Sequence, residues 1–208
     1  MFAQDEAWQN SHTSAERGQT RPVSSSEEIR PFVVAVSLDS EHRFSTPLVD
    51  EIVLVSGWGI EGDAHSGITV QHLSRVARDP SQPNLRQVHL IHAELFDQVA
   101  TVGFQVEAGQ LGENVTTRGV DLLAMPVGTL LLLGDHAVVR VTGLRNPCQP
   151  INGFEPGLLR EVLGHTGDGS VARKSGVMAV VVSGGPVRAG QDIRVQLPAG
   201  EPIPLTPV

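Results

Sequence analysis

The stretch TLLLLGDHAVVRVT, residues 129–142, decides the fold class. Two short apolar runs flank Gly134-Asp135, and runs of that length between turn residues read as strands. Glycine supplies the positive φ that a tight turn demands, so the stretch predicts a β-hairpin. Working outward, similar runs recur as PFVVAVSL at 31–38, EIVLV at 51–55 and VMAVVV at 177–182. Near the end, Ile193, Val195 and Leu197 alternate with Arg194 and Gln196, which predicts a strand with one wet face.

Helical periodicity is scarce. Leu95, Val99 and Val102 follow His92 at helical spacing, and Gly103 is placed to end that helix. A shorter helix is expected at 156–163. Many strands, few helices and no regular strand–helix alternation predict a mainly β chain, a closed or partly closed antiparallel β-barrel with a few inserted α-helices. Residues 1–30 are polar and aperiodic and read as a flexible leader; 31–197 form the barrel domain. The four prolines of LPAGEPIPLTPV make 198–208 an extended, proline-rich tail.

The composition narrows the function classes. With 208 residues, 40% of them hydrophobic and 18% charged, the body has the means to bury a core. A formal charge of −8, 4% aromatics and no Tyr argue against a nucleic-acid partner. No apolar run approaches the roughly 20 residues of a membrane span. The first thirty residues lack a secretory layout, so a cytoplasmic location is expected. One cysteine excludes an intrachain disulfide and any multi-cysteine metal site. Dinucleotide, P-loop, nucleophile-elbow and zinc-protease motifs are all missing.

Four polar, glycine-bearing segments lie between the apolar runs: GIEGDAHSG at 59–67, NLRQVHLI at 84–91, GQLGENVTTRGVDLLAMPVGT at 109–129 and VTGLRNPC at 141–148. Their order and approximate spacing, above all the GEN-plus-hydroxyl segment, the Pro126-x-Gly128 turn and the R-x-P-C ending, resemble the MOSC family. That family takes its name from the C-terminal part of molybdenum-cofactor sulfurases. The resemblance spans about 31–197 and implies a β-barrel and a molybdopterin-type molybdenum cofactor. It also implies sulfur chemistry or metal ligation at Cys148.

The residues must support those roles physically. A lone cysteine is commonly a small buried hydrophobe. Cys148, however, lies between Asn146-Pro147 and Gln149-Pro150, which hold the backbone extended, and Arg145 stands near enough in sequence to favour a thiolate. Asn114, Thr116 and Thr117 offer an amide and hydroxyls without adding charge. The resemblance carries cofactor binding onto Glu113, Asn114 and Thr116, with Glu113 alternatively buttressing an arginine. Fourteen arginines accompany a single lysine, Lys174. Arg86, beside Gln87, is the first candidate for a cofactor phosphate, followed by Arg145 and Arg173. Asp63 and His65 match a family segment and are assigned to the pocket. His89 and His92 lack a compact zinc signature, and Lys174 is a weak Schiff-base candidate, so pyridoxal phosphate is not expected.

The resemblance to the amidoxime-reducing branch implies reduction of a small N-hydroxylated substrate to its amine and water. Cys148 would then be catalytic and the metal ligand, with electrons from a separate reductase. The alternative is a sulfur carrier or cofactor-binding module, with Cys148 holding a persulfide received from a cysteine desulfurase.

Overall fold

The computed structural model describes residues 30–165, 167 and 169–208. The expected leader, apart from Arg30, lies outside the described residues, as do Thr166 and Asp168 of the HTGDGS loop.

The chain runs through β1 (Phe32–Ser37), β2 (Leu48–Val49), β3 (Ile52–Val55), β4 (Gly59–Ile60), α1 (Leu73–Val76), β5 (Val88–His92) and α2 (Glu94–Ala100). Next come β6 (Val115–Arg118), β7 (Leu130–Leu133), β8 (Ala137–Leu144), α3 (Pro150–Phe154) and α4 (Leu158–Val162). It ends with β9 (Leu163–His165), β10 (Val171–Arg173), β11 (Val177–Ser183), β12 (Gly185–Val187) and β13 (Ile193–Gln196). The protein is therefore mainly β. An eight-stranded sheet has the order β13-β7-β8-β11-β5-β6-β1-β2, beside the smaller sheets β12-β3-β4 and β10-β9.

The expected hairpin forms: β7 pairs antiparallel with β8 from Leu130–Arg140 to Leu133–Ala137, and Gly134 has φ +63°. The sheet is nevertheless mixed rather than antiparallel throughout, because β5 and β6 run parallel in the register Leu90–Val115, Ile91–Thr116 and His92–Thr117. Parallel neighbours need a crossover of a dozen or more residues, and α2 with its following loops provides it. Among the described residues the edge strands β13 and β2 do not pair with each other, so the sheet is not closed edge to edge. One isolated bridge, Phe32 to Asp192, joins the start of β1 to the chain just before β13, with the Val33 N–H donating to the Gln191 carbonyl at 2.9 Å.

Strand period two sorts the core. From β5, Val88 and Leu90 enter the main apolar cluster with Val115, Leu131, Val139, Val141 and Val177. Ile91 faces the opposite way, into a second cluster with Leu95, Val99, Ile151, Leu158 and Val162 of the helices. Two apolar expectations fail here. Helix α2 ends at Ala100, so Val102 is exposed instead of continuing the buried face. In β13 only Ile193 is buried; Val195 of this edge strand and Leu197 just beyond it are exposed. The C-terminal segment lies against β8, where the Leu144 N–H donates to the Thr206 carbonyl and the Val208 N–H to the Leu144 carbonyl. Among the described residues no helix is long and apolar enough to cross a membrane.

Gly176 and Gly190 both have φ +84°. A Cβ at Gly176 would stand 2.0 Å from the Leu90 carbonyl oxygen of the central strand, whereas one at Gly190 would meet nothing within 4 Å. Gly190→Ala should therefore cost about 1 kcal/mol of backbone strain. Gly176→Ala should cost about 3 kcal/mol or more, because strand separation adds to the strain. Denaturant unfolding measures both; equal losses would show that the close approach at Leu90 is unimportant.

Candidate functional site

The site grows from the place where β5 and β6 begin side by side. The Asn114 N–H donates to the His89 carbonyl at 2.9 Å, and the Asn114 Oδ1 accepts the His89 N–H at 3.0 Å. A side-chain amide thus continues the parallel ladder one step below its regular start. The free Nδ2 of Asn114 donates to Oδ2 of Asp63 at 3.0 Å. The other carboxylate oxygen, Oδ1, accepts the backbone N–H of His65 at 2.7 Å and lies 3.2 Å from its Nδ1.

Above this array is a cavity of about 290 Å³, at the low end of small-ligand sites. From the chemistry expected of the sequence it contains Cys148, Arg86, Arg145, Asn114 and His65. The thiol of Cys148 is free and half-buried, and Nη1 of Arg145 lies 3.4 Å from its Sγ while also donating to the Asn146 carbonyl. The turn is secured where the Cys148 carbonyl accepts the N–H of Ile151 at the start of α3. Arg86 donates from Nη1 to the Val208 carbonyl at 2.8 Å, and its own N–H is held by Asn84. Burial first, then the neighbouring guanidiniums of Arg145 and Arg75, push its pKa down to about 10.

The remaining expected residues support this floor without lining it. Gln87 bridges the Gly57 carbonyl and the Val181 N–H. Glu113 is fully buried, with no arginine beside it; its carboxylate accepts the N–H groups of Gly109 and Leu111 and the Thr116 hydroxyl. Burial pushes its carboxyl pKa up against those bonds. Thr117 donates to the Ile91 carbonyl. Asp63 stands behind His65, its side chain only 2% exposed. Arg173 reaches Asn146 but not the cavity.

The histidine pair weighed for zinc does not converge. His89 and His92 lie on opposite faces of β5, and no cluster of metal-ligating side chains occurs among the described residues. The His89 ring is sealed between the carbonyls of Gly112 and Ser175 at 3.0 and 2.8 Å. Burial and then Arg145 push its pKa down to about 3, so a neutral ring donates one proton to one of those carbonyls.

Several lining residues carry no motif in the sequence: His42 and Arg43 after β1, and His72 and Arg75 around α1. Only their placement by folded loops reveals them. Arg43 is paired with Asp39 at 2.7 Å, whereas Arg75, Arg86 and Arg145 form no ion pair among the described residues. Among the described residues no Asp or Glu lines the cavity. The arrangement is suited to an anionic ligand that ends beside a soft sulfur donor.

A family model described as the MOSC domain matches residues 77–194, more than half of the chain though less than the 31–197 expected. Solved structures share the fold. YuaD from Bacillus subtilis superposes with a TM-score of 0.64 at 24% identity, covering 79% of this chain and 95% of that one. YiiM from Escherichia coli gives 0.54 at 20% identity over 84% and 73% of the two chains. YiiM from Geobacillus stearothermophilus gives 0.54 at 16% identity over 80% and 75%. No curated protein sequence matches the chain.

The buried bridge through Asn114 makes a prediction. Asn114→Ala strands the His89 N–H and one Asp63 oxygen and should cost about 1–3 kcal/mol in chemical denaturation. Asn114→Asp sets two carboxylates against each other, so its loss should be largest at neutral pH and shrink as acid supplies a shared proton. A pH-independent loss would show that Asp63 does not face this position.

Proposed function

The chain belongs to the MOSC domain family, a family associated with binding of the molybdenum cofactor, and we propose that it is a molybdenum-cofactor-dependent oxidoreductase reducing N-hydroxylated compounds. The observation that carries this reading is the position of the chain's one thiol: Cys148 opens into a cavity that, among the described residues, is lined by four arginines and no carboxylate.

The donor set fits the cofactor. Cys148 would ligate the metal through its thiolate, a soft ligand suited to that centre. Arg86 and Arg145, both without ion pairs, would take the phosphate, and Asn114 with the Gly112 backbone would lie along the pterin. When bound, the cofactor supplies two-electron redox chemistry, while the protein orients the substrate and limits water. The net reaction breaks the N–O bond, forms an N–H bond and releases the oxygen as water. It takes up two electrons from a separate reductase and two protons. In this reading the Phe32–Asp192 bridge is the seam of a partly closed barrel, and the protein acts in the cytoplasm.

A second reading uses the same free, half-buried thiol: Cys148 carries a persulfide delivered by a cysteine desulfurase. Elemental analysis and turnover separate the two. Protein reconstituted with the cofactor should hold near-stoichiometric molybdenum and reduce benzamidoxime with reduced methyl viologen, and Cys148→Ser should lose turnover. Metal-free protein after reconstitution, labelled at Cys148 by a desulfurase and its sulfur donor, would replace the oxidoreductase by the carrier.

A further inference from the structure

The proposed reduction consumes two protons, and four imidazoles line the cavity, those of His42, His65, His72 and His89. Three are spoken for. His89 is buried between two carbonyls, with no ring nitrogen left for a substrate. His42 directs Nε2 at the Gln71 carbonyl, 3.2 Å away. His72 shares Nδ1 with the Ser74 hydroxyl, and burial, followed by Arg86, drives its ring from the charged form.

His65 differs in its partner. Its Nδ1 lies 3.2 Å from a carboxylate oxygen of Asp63 rather than from a carbonyl or a hydroxyl, and with that oxygen as acceptor Nδ1 carries the proton, which leaves Nε2 as the second site of a ring that lines the cavity. Asp63 is fixed from the other side by Asn114. The backbone of His65 is pinned as well, its N–H by Asp63 and its carbonyl by Asn84 Nδ2 at 2.9 Å. The side chain is 37% exposed, so the ring meets both solvent and cavity. Its charged and titratable surroundings are Asp63 on its own loop, the His42 ring at 4.9 Å, Asp39 beyond β1, and His72 before α1.

We propose that His65 is the catalytic acid of this site, taking a proton from solvent and passing it to the hydroxyl oxygen of the substrate N–O bond, with Asp63 and Asn114 as positioning residues. The assignment rests on the oxidoreductase reading. In the balanced step, the N–O bond breaks as it receives two electrons from the reductant, the hydroxyl leaves as water with one proton from His65, and the nitrogen takes the second proton, drawn from solvent, to complete its N–H bond.

The test uses reconstituted, molybdenum-loaded protein with benzamidoxime as substrate and reduced methyl viologen as reductant. His65→Gln should lower kcat by about 10²-fold or more while KM and molybdenum content hold. Added imidazole should restore part of the rate to His65→Ala. Asp63→Asn keeps an acceptor for the His65 N–H but removes the charge, and should lower kcat without loss of fold. In the metal-free protein, ¹⁵N NMR should show His65 as the Nδ1–H tautomer in the wild type and a mixture in Asp63→Asn. Wild-type kcat in loaded His65→Gln, no imidazole response in folded and loaded His65→Ala, or one tautomer pattern in both proteins would overturn the assignment. Loss of molybdenum from His65→Gln would also overturn it, by making His65 a cofactor-holding residue. Loaded wild type that does not reduce benzamidoxime defeats the oxidoreductase reading itself, an outcome distinct from an active wild type with an indifferent His65→Gln.

Discussion

The parallel pairing of β5 with β6 is the constraint on which the site depends. Its register sets Leu90 against Val115, so the residues one step earlier, His89 and Asn114, meet at the point where the ladder begins. Asn114 then serves as both backbone and side chain: its N–H and its side-chain oxygen continue the strand pairing with His89, and its side-chain nitrogen is left for Asp63. A one-residue slip would turn each of these side chains to the opposite face. Through Asn114 and Asp63 the sheet register therefore fixes the orientation of an imidazole, that of His65, which lies on a loop outside the large sheet.

Electrostatics explains why such a pocket is held by backbone and amides rather than by ion pairs. The chain is acidic overall, with a formal charge of −8, yet among the described residues no acid lines the cavity and only Arg43 of its arginines is matched by a carboxylate. Desolvating an unpaired guanidinium is unfavourable. Arg86 meets that cost partly by donating to the Val208 carbonyl, and the depressed basicity of its side chain records the remainder. An arriving anion would gain what the folded protein leaves unsatisfied, because the donors are oriented before it binds.

Much of the frame was legible in the sequence. Each long apolar run forms a strand, and the Gly134 hairpin closes as the turn chemistry requires, because both signals are local. The parallel pair was not legible: β5 and β6 meet only after a long excursion through α2, and no local pattern distinguishes the partner of a buried strand. At the site, Cys148, Arg86, Arg145, Asn114 and His65 reach one cavity, as their motifs suggested. Glu113, Thr116, Thr117 and Gln87 are as prominent in sequence but turn inward to satisfy buried backbone groups. Residue type shows what a side chain can bond, and strand parity shows which face receives it. His42 and His72 lacked even that signal, since loops have no period.

The origin of the lining residues has a further consequence. Residues 77–194, which match the family model, contribute the thiol, Arg86, Arg145, Asn114 and His89. The chain before residue 77 contributes His42, Arg43, His65, His72 and Arg75 to the cavity, and Asp63 behind it. The Cys148 side of the cavity thus lies within the matched span, whereas His65 and Asp63 precede it, and the four arginines described as lining the cavity divide evenly between the two stretches. Asn114 joins the stretches: its side-chain oxygen accepts from the His89 N–H of β5 and its nitrogen donates to Asp63. The cavity therefore forms only when the earlier stretch has folded onto the β5–β6 register.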